Sequence, residues 1–390
     1  MQVIVKLTNA CNLRCKYCSE GDYEVVNNLS FSLLQKLVDD LPELLDNIGD
    51  NSIDFLWHGG EPLCYPKEML CQAMDYAIKR LSDKYRVSFS MQSNGTLING
   101  DWIRIIKQYN IHLGISLDGY RELHDSRRVT QDDKPTFQSI VDNILCLRNN
   151  GIEVGTLMVL DSASDIDIDE LFEVITKYNL TCKIHPVIAT GRASGRTDEY
   201  EIGKNYVNVM QCLFEKIVES DMNLVIEPIA SIMNCILGIS NSLECSYDGS
   251  CGNKLICLYA NGDIGLCGRT KDELPLKYGN LNDNSLYQCY ISNNAQRIRE
   301  RVYYLQQHDC KGCSYFKYCH GGCTFEALNA YGIVEHKYSG CLGKKLLLDY
   351  LFGDGLRLMK KALLKQRKVY QESIRIKKSF LEELEYDEGK

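Results

Sequence analysis

The sequence predicts an α/β chain wound on a parallel sheet, followed by a small cysteine-rich region and C-terminal helices. Two observations carry that reading. Between Gln2 and Val187 short apolar runs alternate with helical patterns, the order that βα units with right-handed crossovers produce. From Cys245 to Cys341 the character changes, and cysteines, glycines and tyrosines crowd together.

Gln2–Thr8 (QVIVKLT) reads as the first strand and Phe31–Leu45 as the first helix. Ser52–Trp57 (SIDFLW) is a strand, Lys67–Leu81 a helix, Val87–Gln92 a strand and Asp101–Tyr109 a helix. His112–Leu117 (HLGISL), Phe137–Asn149, Glu153–Leu160, Asp167–Tyr178 and Thr181–Val187 continue the alternation. Six such units suit a partial barrel better than a closed eight-unit one. Ala193–Glu201 is a polar connector, followed by helices near Tyr206–Glu219 and Ile229–Leu237. Lys254–Cys267 reads as a hairpin turned by Asn261-Gly262. Leu342–Glu388 is helical in composition and strongly charged. The expected divisions are a barrel over 1–220, a helical connector over 221–244, a cysteine-rich domain over 245–345 and a charged helical segment over 346–390. The cysteine-rich part has few long apolar helices, so metal ligands more than a core are expected to hold it.

At 390 residues, 45% apolar and 25% charged, the chain can bury a substantial core. Its net charge of −8 argues against general nucleic-acid binding. No run approaches the roughly 20 apolar residues of a membrane span, and MQVIVKLTNAC lacks the regions of a signal peptide. A cytoplasmic location follows as the expectation. There, 19 cysteines point to metal binding or redox chemistry, with buried apolar packing as the plainer alternative.

Spacing separates the two. Cys11-x3-Cys15-x2-Cys18 follows the first strand, at the sheet edge where α/β active sites gather. Three thiolates hold three corners of a four-iron cluster and leave one iron open. Composition alone would produce that spacing about 0.05 times in such a chain. Cys310-x2-Cys313-x5-Cys319-x3-Cys323, with Cys341 beyond it, is rarer still, at about 0.002 times. Cys245-x5-Cys251 and Cys267 complete a third set. Zinc is the alternative occupant for these cysteines.

Cys11, Cys15 and Cys18, with Tyr17 before the last, resemble the signature of the radical S-adenosylmethionine (SAM) superfamily. Cys251-x10-Gly262-x4-Cys267, then Cys310, Cys313, Cys319, Cys323 and Cys341, is similar to the SPASM domain of its peptide- and protein-modifying members. The resemblance implies a partial (β/α)6 barrel, SAM, one SAM-binding [4Fe–4S] cluster and two auxiliary [4Fe–4S] clusters. Gly59-Gly60-Glu61 resembles the motif that meets the methionine amino group. Gln92, Ser93 and Asn94 match the strand end near the ribose, Ser116 and Asp118 end the fourth strand, and Arg128 matches the position that holds the SAM carboxylate. By resemblance to anaerobic sulfatase maturases, Cys245, Cys251, Cys267 and Cys323 take the nearer auxiliary cluster. Cys310, Cys313, Cys319 and Cys341 then take the farther one. Cys257 is left as buried packing, although it competes with Cys245, and the remaining cysteines default to apolar burial.

The same resemblance implies radical hydrogen abstraction from a ribosomally made precursor peptide, with a flavodoxin- or ferredoxin-type reductant. Sulfatase maturases carry an Asp base directly after the cysteine matching Cys267, whereas this chain reads Gly268-Arg269. Glycine accepts no proton and a guanidinium stays charged. A thioether or carbon–carbon crosslink is therefore the leading expectation and formylglycine formation the second. A scaffold or electron carrier that never cleaves SAM is the non-enzyme alternative. The chain opens in the first barrel strand, so a leader would be read by the barrel, by a separate protein or by the tail. Between Arg357 and Lys378 nine basic residues face one acidic one, Glu372, which suggests an acidic-leader dock. No residue is nominated as a general base.

Overall fold

The computed structural model describes residues 1–160, 166–194, 199–220, 222, 224–269, 274–362 and 364. Its first half alternates as expected. The strands are β1 (Gln2–Lys6), β2 (Ser52–His58), β3 (Arg86–Ser93), β4 (His112–Ser116), β5 (Val154–Leu160) and β6 (Thr181–Pro186). The helices between them are α1 (Phe31–Ile48), α2 (Lys67–Leu81), α3 (Gly100–Gln108), the short α4 (Arg121–Asp125), α5 (Phe137–Asn149) and α6 (Ile168–Lys177). Then come α7 (Glu199–Glu219), β7 (Ile226–Glu227), α8 (Ile229–Ile236) and α9 (Cys245–Asp248). The hairpin β8 (Leu255–Leu258) and β9 (Asp263–Gly265) precedes β10 (Lys277–Asn280). The remainder is α10 (Leu286–Tyr290), α11 (Asn293–Gln307), α12 (Phe316–Cys319), α13 (Thr324–Tyr331) and α14 (Cys341–Tyr350).

Local chemistry sets the boundaries. Ser30 caps α1 by accepting from the Leu33 N–H, and Gly49 closes it in the left-handed region. Along β2, Ile53, Phe55 and Trp57 are buried against the helices while Asp54, Leu56 and His58 line the opposite, half-buried face. That alternation gives the sheet an apolar outer layer and an inner face, the lumen, that mixes polar groups with the small apolar cluster of Ile4, Leu56 and Cys257; there Asp54 receives Gln2, Ser88 and Ser90.

The sheet runs β10-β9-β8-β1-β2-β3-β4-β5-β6-β7. Every pair from β8 to β7 is parallel, and β9 and β10 add antiparallel. The predicted hairpin is present, but its first strand pairs with β1, in register Ile4↔Cys257. The cysteine-rich part therefore continues the barrel sheet. It shares the barrel's core as well, since Leu258, Ile264, Leu281, Ile298, Phe325 and Val334 are buried in the same cluster as Val3 and Phe55. Helix α11 is not signalled by the sequence, because NNAQRIRERVYYLQQ reads as polar. Its buried stripe, Ala295, Ile298, Arg301 and Leu305, includes an arginine. Among the cysteines assigned to burial, Cys182, Cys257 and Cys289 are buried, whereas Cys146 and Cys212 lie exposed on outward helix faces. The basic residues from Lys365 to Lys378 lie outside the described residues. No described helix is long and apolar enough to cross a membrane.

Candidate active site

The cysteine loop follows β1 and is seated on the Gly59-Gly60 turn after β2. A Cβ on Gly60 would stand 2.4 Å from the Asn9 carbonyl oxygen and 2.5 Å from that of Ala10, and one on Gly59 would meet the Thr8 oxygen at 2.4 Å. Only glycine allows that contact. The Gly60 N–H donates to Thr8 O at 2.7 Å and the Glu61 N–H to Ala10 O at 2.8 Å, which fixes the approach to Cys11.

Two polar chains flank the loop. On the Cys11 side, Glu61 is buried and accepts from Ser93 Oγ at 2.7 Å, the Asn94 N–H at 2.7 Å and the Leu63 N–H at 3.0 Å. Burial raises its pKa to about 7 against those three hydrogen bonds. Asn94 reaches Asn12 at 2.9 Å and the Cys11 thiol at 3.9 Å. Gln92 and Ser116 meet at 3.2 Å across β3 and β4.

On the Cys15 side, Asp118 is fully buried. Its Oδ1 accepts from the Val159 N–H at 3.0 Å, and its Oδ2 accepts from Arg128 Nε at 3.0 Å and from the Tyr17 hydroxyl. Burial opposes its ionisation, but Arg128 and Arg127 outweigh that and hold its pKa below the usual range. Arg128 also reaches the Cys15 thiol at 3.8 Å. Thus Glu61 and Asp118, both expected to face SAM, commit both carboxylate oxygens to protein donors. Their geometry is that of braces.

Several neighbours escape sequence reasoning. Arg127 is buried; its Nη1 and Nη2 lack hydrogen-bond partners, as does Thr190 Oγ1, but Nη2 faces Asp118 Oδ2 at 3.9 Å. Gly191 packs on the Cys18 carbonyl, 2.2 Å from where a Cβ would stand, and Arg192 donates to Cys15 O at 3.1 Å. In the lumen, Lys6 Nζ pairs with Glu20 at 2.5 Å and meets His58 Nδ1 at 3.3 Å. At the end of β6, Glu244 pairs with Lys183 at 3.0 Å and lies 3.6 Å from His185. Burial pulls both His58 and His185 down to about 3. A signal for Lys6, His58 and His185 exists, since each is a polar residue interrupting an apolar strand.

In the C-terminal half, one cavity is lined by Cys310, Cys313, Cys319 and Cys341, with Lys337, Tyr338 and Lys345. A second is lined by Cys245, Cys251 and Cys323, with Ser246, Arg301 and Thr324. Cys267 interacts electrostatically with Cys245, Cys251 and Cys323. Cys257 packs instead with Ile4 and Tyr259. Among the described residues no group of three or more His, Cys, Asp or Glu closes on a single metal ion. The sulfurs line cavities instead.

The donor chemistry fits iron–sulfur clusters. Burial pushes Cys11 and Cys251 up to about 12 and Cys310 up to about 11, so these thiols need cationic partners to ionise. The Arg127 Nη atoms and the Tyr278 hydroxyl make no hydrogen bond, and Tyr278 interacts with Cys251 and Cys267, so each has a hydrogen to offer an anionic group.

Comparison with known proteins adds to this geometry. Residues 5–175 match the model of the Radical SAM superfamily. The chain is 25% identical over 333 residues to the cysteine-type anaerobic sulfatase-maturating enzyme of Clostridium novyi, covering 82% of this chain and 87% of that protein. It is 24% identical over 352 residues to the serine-type enzyme of Bacteroides thetaiotaomicron, covering 83% and 82%. Among solved structures, native anSMEcpe with bound AdoMet aligns with a TM-score of 0.78 at 20% identity, over 93% of this chain and 98% of that one. Streptococcus suis SuiB bound to precursor peptide SuiA aligns with a TM-score of 0.61 at 18% identity, over 87% and 75%. The last two likenesses are of fold.

Proposed function

We propose that this chain is a radical SAM enzyme of the SPASM-bearing maturase kind, which oxidises a residue of a ribosomally made polypeptide held in the barrel lumen. The observation that carries the reading is the position of Lys6. Its carbon chain lies 3.0 Å from where a Gly268 Cβ would stand, beside Cys267, while its ammonium pairs with Glu20, two residues after Cys18. A peptide entering the lumen there lies between the first thiol loop and the second cavity. The peptide-bound SuiB and Cp18Cys-bound anSMEcpe structures, whose fold this chain shares, support a peptide occupant.

In this reading Cys11, Cys15 and Cys18 hold the SAM-binding cluster. Cys245, Cys251, Cys267 and Cys323 hold one auxiliary cluster, and Cys310, Cys313, Cys319 and Cys341 the other. Bound at the first site, SAM and a reduced cluster supply a radical able to take hydrogen from an unactivated C–H bond. The chain's own contribution is placement. Gly59 and Gly60 set the loop, Glu61 locks it to Ser93 and Asn94, and Asp118 fixes Tyr17 and Arg128. Arg128 and Arg127 both face Asp118, Arg128 through a hydrogen bond and Arg127 at 3.9 Å, and in this reading the Nη atoms of Arg127, which make no hydrogen bond, join Arg128 in taking the methionine carboxylate. Buried Tyr17, Val187 and Ala193 exclude water. Electrons arrive from an external flavodoxin- or ferredoxin-type carrier, and a separate leader-binding protein is a candidate for presenting the precursor.

The absence of a side chain at Gly268 supports crosslinking, because the nearby carboxylates Glu20 and Glu244 are already ion-paired. The near full-length likeness to sulfatase maturases supports formylglycine formation as the second reading. Anaerobic incubation with SAM, reductant and either a candidate precursor or a sulfatase-derived Cys or Ser peptide decides between them. Crosslinking removes two hydrogens and leaves no aldehyde. Formylglycine is captured by a hydrazine probe. Deoxyadenosine formation without change to any peptide overturns the polypeptide reading.

A further inference from the structure

A lysine is buried where the two cysteine-lined cavities meet. Lys344, 6% exposed, lies one turn into α14, the helix that starts at Cys341. Its ammonium donates to the Ser246 carbonyl, stands 3.6 Å from the centre of the Tyr247 ring and 4.8 Å from that of Tyr338. Ser246 lines the cavity of Cys245, Cys251 and Cys323, and Tyr338 lines that of Cys310, Cys313, Cys319 and Cys341. One nitrogen therefore touches a wall of each.

The surroundings hold this nitrogen firmly. Gly322, directly before Cys323, and Gly340, directly before Cys341, pack on the Tyr338 ring so closely that a Cβ on either would stand 2.3 Å from a ring atom or its hydroxyl. Two cluster-bearing segments thus converge on the ring that covers Lys344. Among the described residues no carboxylate oxygen lies within 4.0 Å of its nitrogen. A buried cation needs a counter-charge, and two aromatic faces and a carbonyl supply only part of one. Burial lowers the ammonium's pKa, while Glu244, Cys319, Glu326 and Cys323 raise it, one of those thiols belonging to each set. Glu244 and Glu326 act on Lys344 from beyond 4.0 Å, and the two thiolate-ligated centres are the further anions that would balance it.

We propose that Lys344 is a positioning cation shared by both auxiliary clusters, which raises the reduction potential of each by stabilising its more negative, reduced form. This rests on the reading that the eight cysteines carry two clusters. It adds a reason for their proximity, since one buried charge would keep the two potentials aligned so that an electron can pass in either direction.

The test uses the reconstituted full chain. Iron and sulfide are counted, and each centre is titrated electrochemically by paramagnetic resonance, with SAM added to mark the amino-terminal cluster. Lys344→Met is expected to retain full iron, to move both auxiliary midpoints to more negative potential and to leave the SAM-marked midpoint in place. Lys344→Arg is expected to restore the wild-type auxiliary potentials. Should Lys344→Met fail to fold, Lys344→Gln decides by the same readout, because it is neutral yet still able to donate to Ser246. Full iron with unmoved potentials, or movement of one auxiliary centre alone, overturns the proposal. Wild-type protein containing iron for the amino-terminal cluster only overturns the two-cluster reading and the proposal with it.

Discussion

Around Cys11–Cys18 the loop is braced largely from side chain to side chain, whereas around Cys319–Cys341 a buried guanidinium gathers backbone carbonyls. The first is braced by Glu61, Asp118, Tyr17 and Arg128, whose contacts are charge-assisted and can be re-made with a ligand. In the second, buried Arg301 donates to the carbonyls of Val334 at 2.6 Å, Gly322 at 2.8 Å, Gly321 at 3.1 Å and His336 at 2.7 Å. Gly321 there packs on Leu305, and Gly249 in the neighbouring loop packs on His320. Such contacts offer nothing for exchange. The contrast suits a front site that takes and releases SAM and rear sites that keep permanent occupants.

The largest effect should come from the cysteines themselves. Cys15→Ala is expected to abolish deoxyadenosine formation. Cys267→Ala or Cys313→Ala should leave SAM cleavage intact and stop finished product. Mass spectrometry of peptide and nucleoside from the same reaction reads both. Normal product from either rear variant would erase the functional difference between the regions.

Bracing residues should separate the regions next. Asp118→Asn keeps the size of the side chain but turns a donor toward Arg128 and strands a buried guanidinium, a loss of about 3–5 kcal/mol. SAM affinity should fall with auxiliary iron retained. Arg301→Gln leaves several carbonyls without donors, at about 1–3 kcal/mol each, and should cost auxiliary iron while SAM affinity survives. Isothermal titration and iron analysis on both variants give a double dissociation. If each variant lost both properties equally, the two regions would be one cooperative unit, as the shared sheet through β8 and β1 permits.

Much of the front region is legible in the amino-acid order. Period-two strands and period-3.6 helices produce the alternation, and the chemistry-bearing residues fall at the strand ends, where parallel sheets place their sites. Relations without a local pattern stay hidden. Pairing of β8 with β1 joins residues about 250 positions apart, and nothing in either strand announces it. Arg301 reads as a surface charge until four carbonyls are seen to converge on it. Glu61 and Asp118 stand out for their carboxylates, but only the folded arrangement shows that both oxygens of each are occupied. The twin arginines at 127 and 128 are the hardest to tell apart, since both face Asp118 and differ in which of them hydrogen-bonds it.

The smallest predicted effect concerns acid. His124 Nδ1 accepts from the Asp118 N–H at 3.1 Å, so its proton sits on Nε2, which faces Thr136 Oγ1 at 3.0 Å, and Thr136 in turn donates to the Arg128 carbonyl at 2.8 Å. Burial pulls His124 from 6.5 down to about 4. Between those values the unfolded chain binds a proton that the folded one refuses, so stability present above pH 6.5 drains away as pH falls toward 4. The loss approaches about 3 kcal/mol, and it acts on the segment carrying Asp118 and Arg128. Hydrogen exchange, corrected for its intrinsic pH dependence, should show amides of 118–136 losing protection in acid before those of 319–341. In His124→Gln, which cannot take up the proton, that early loss should disappear. Equal loss of protection in the two segments would mean that acid sensitivity is a property of the whole sheet and that the front loop has no softness of its own.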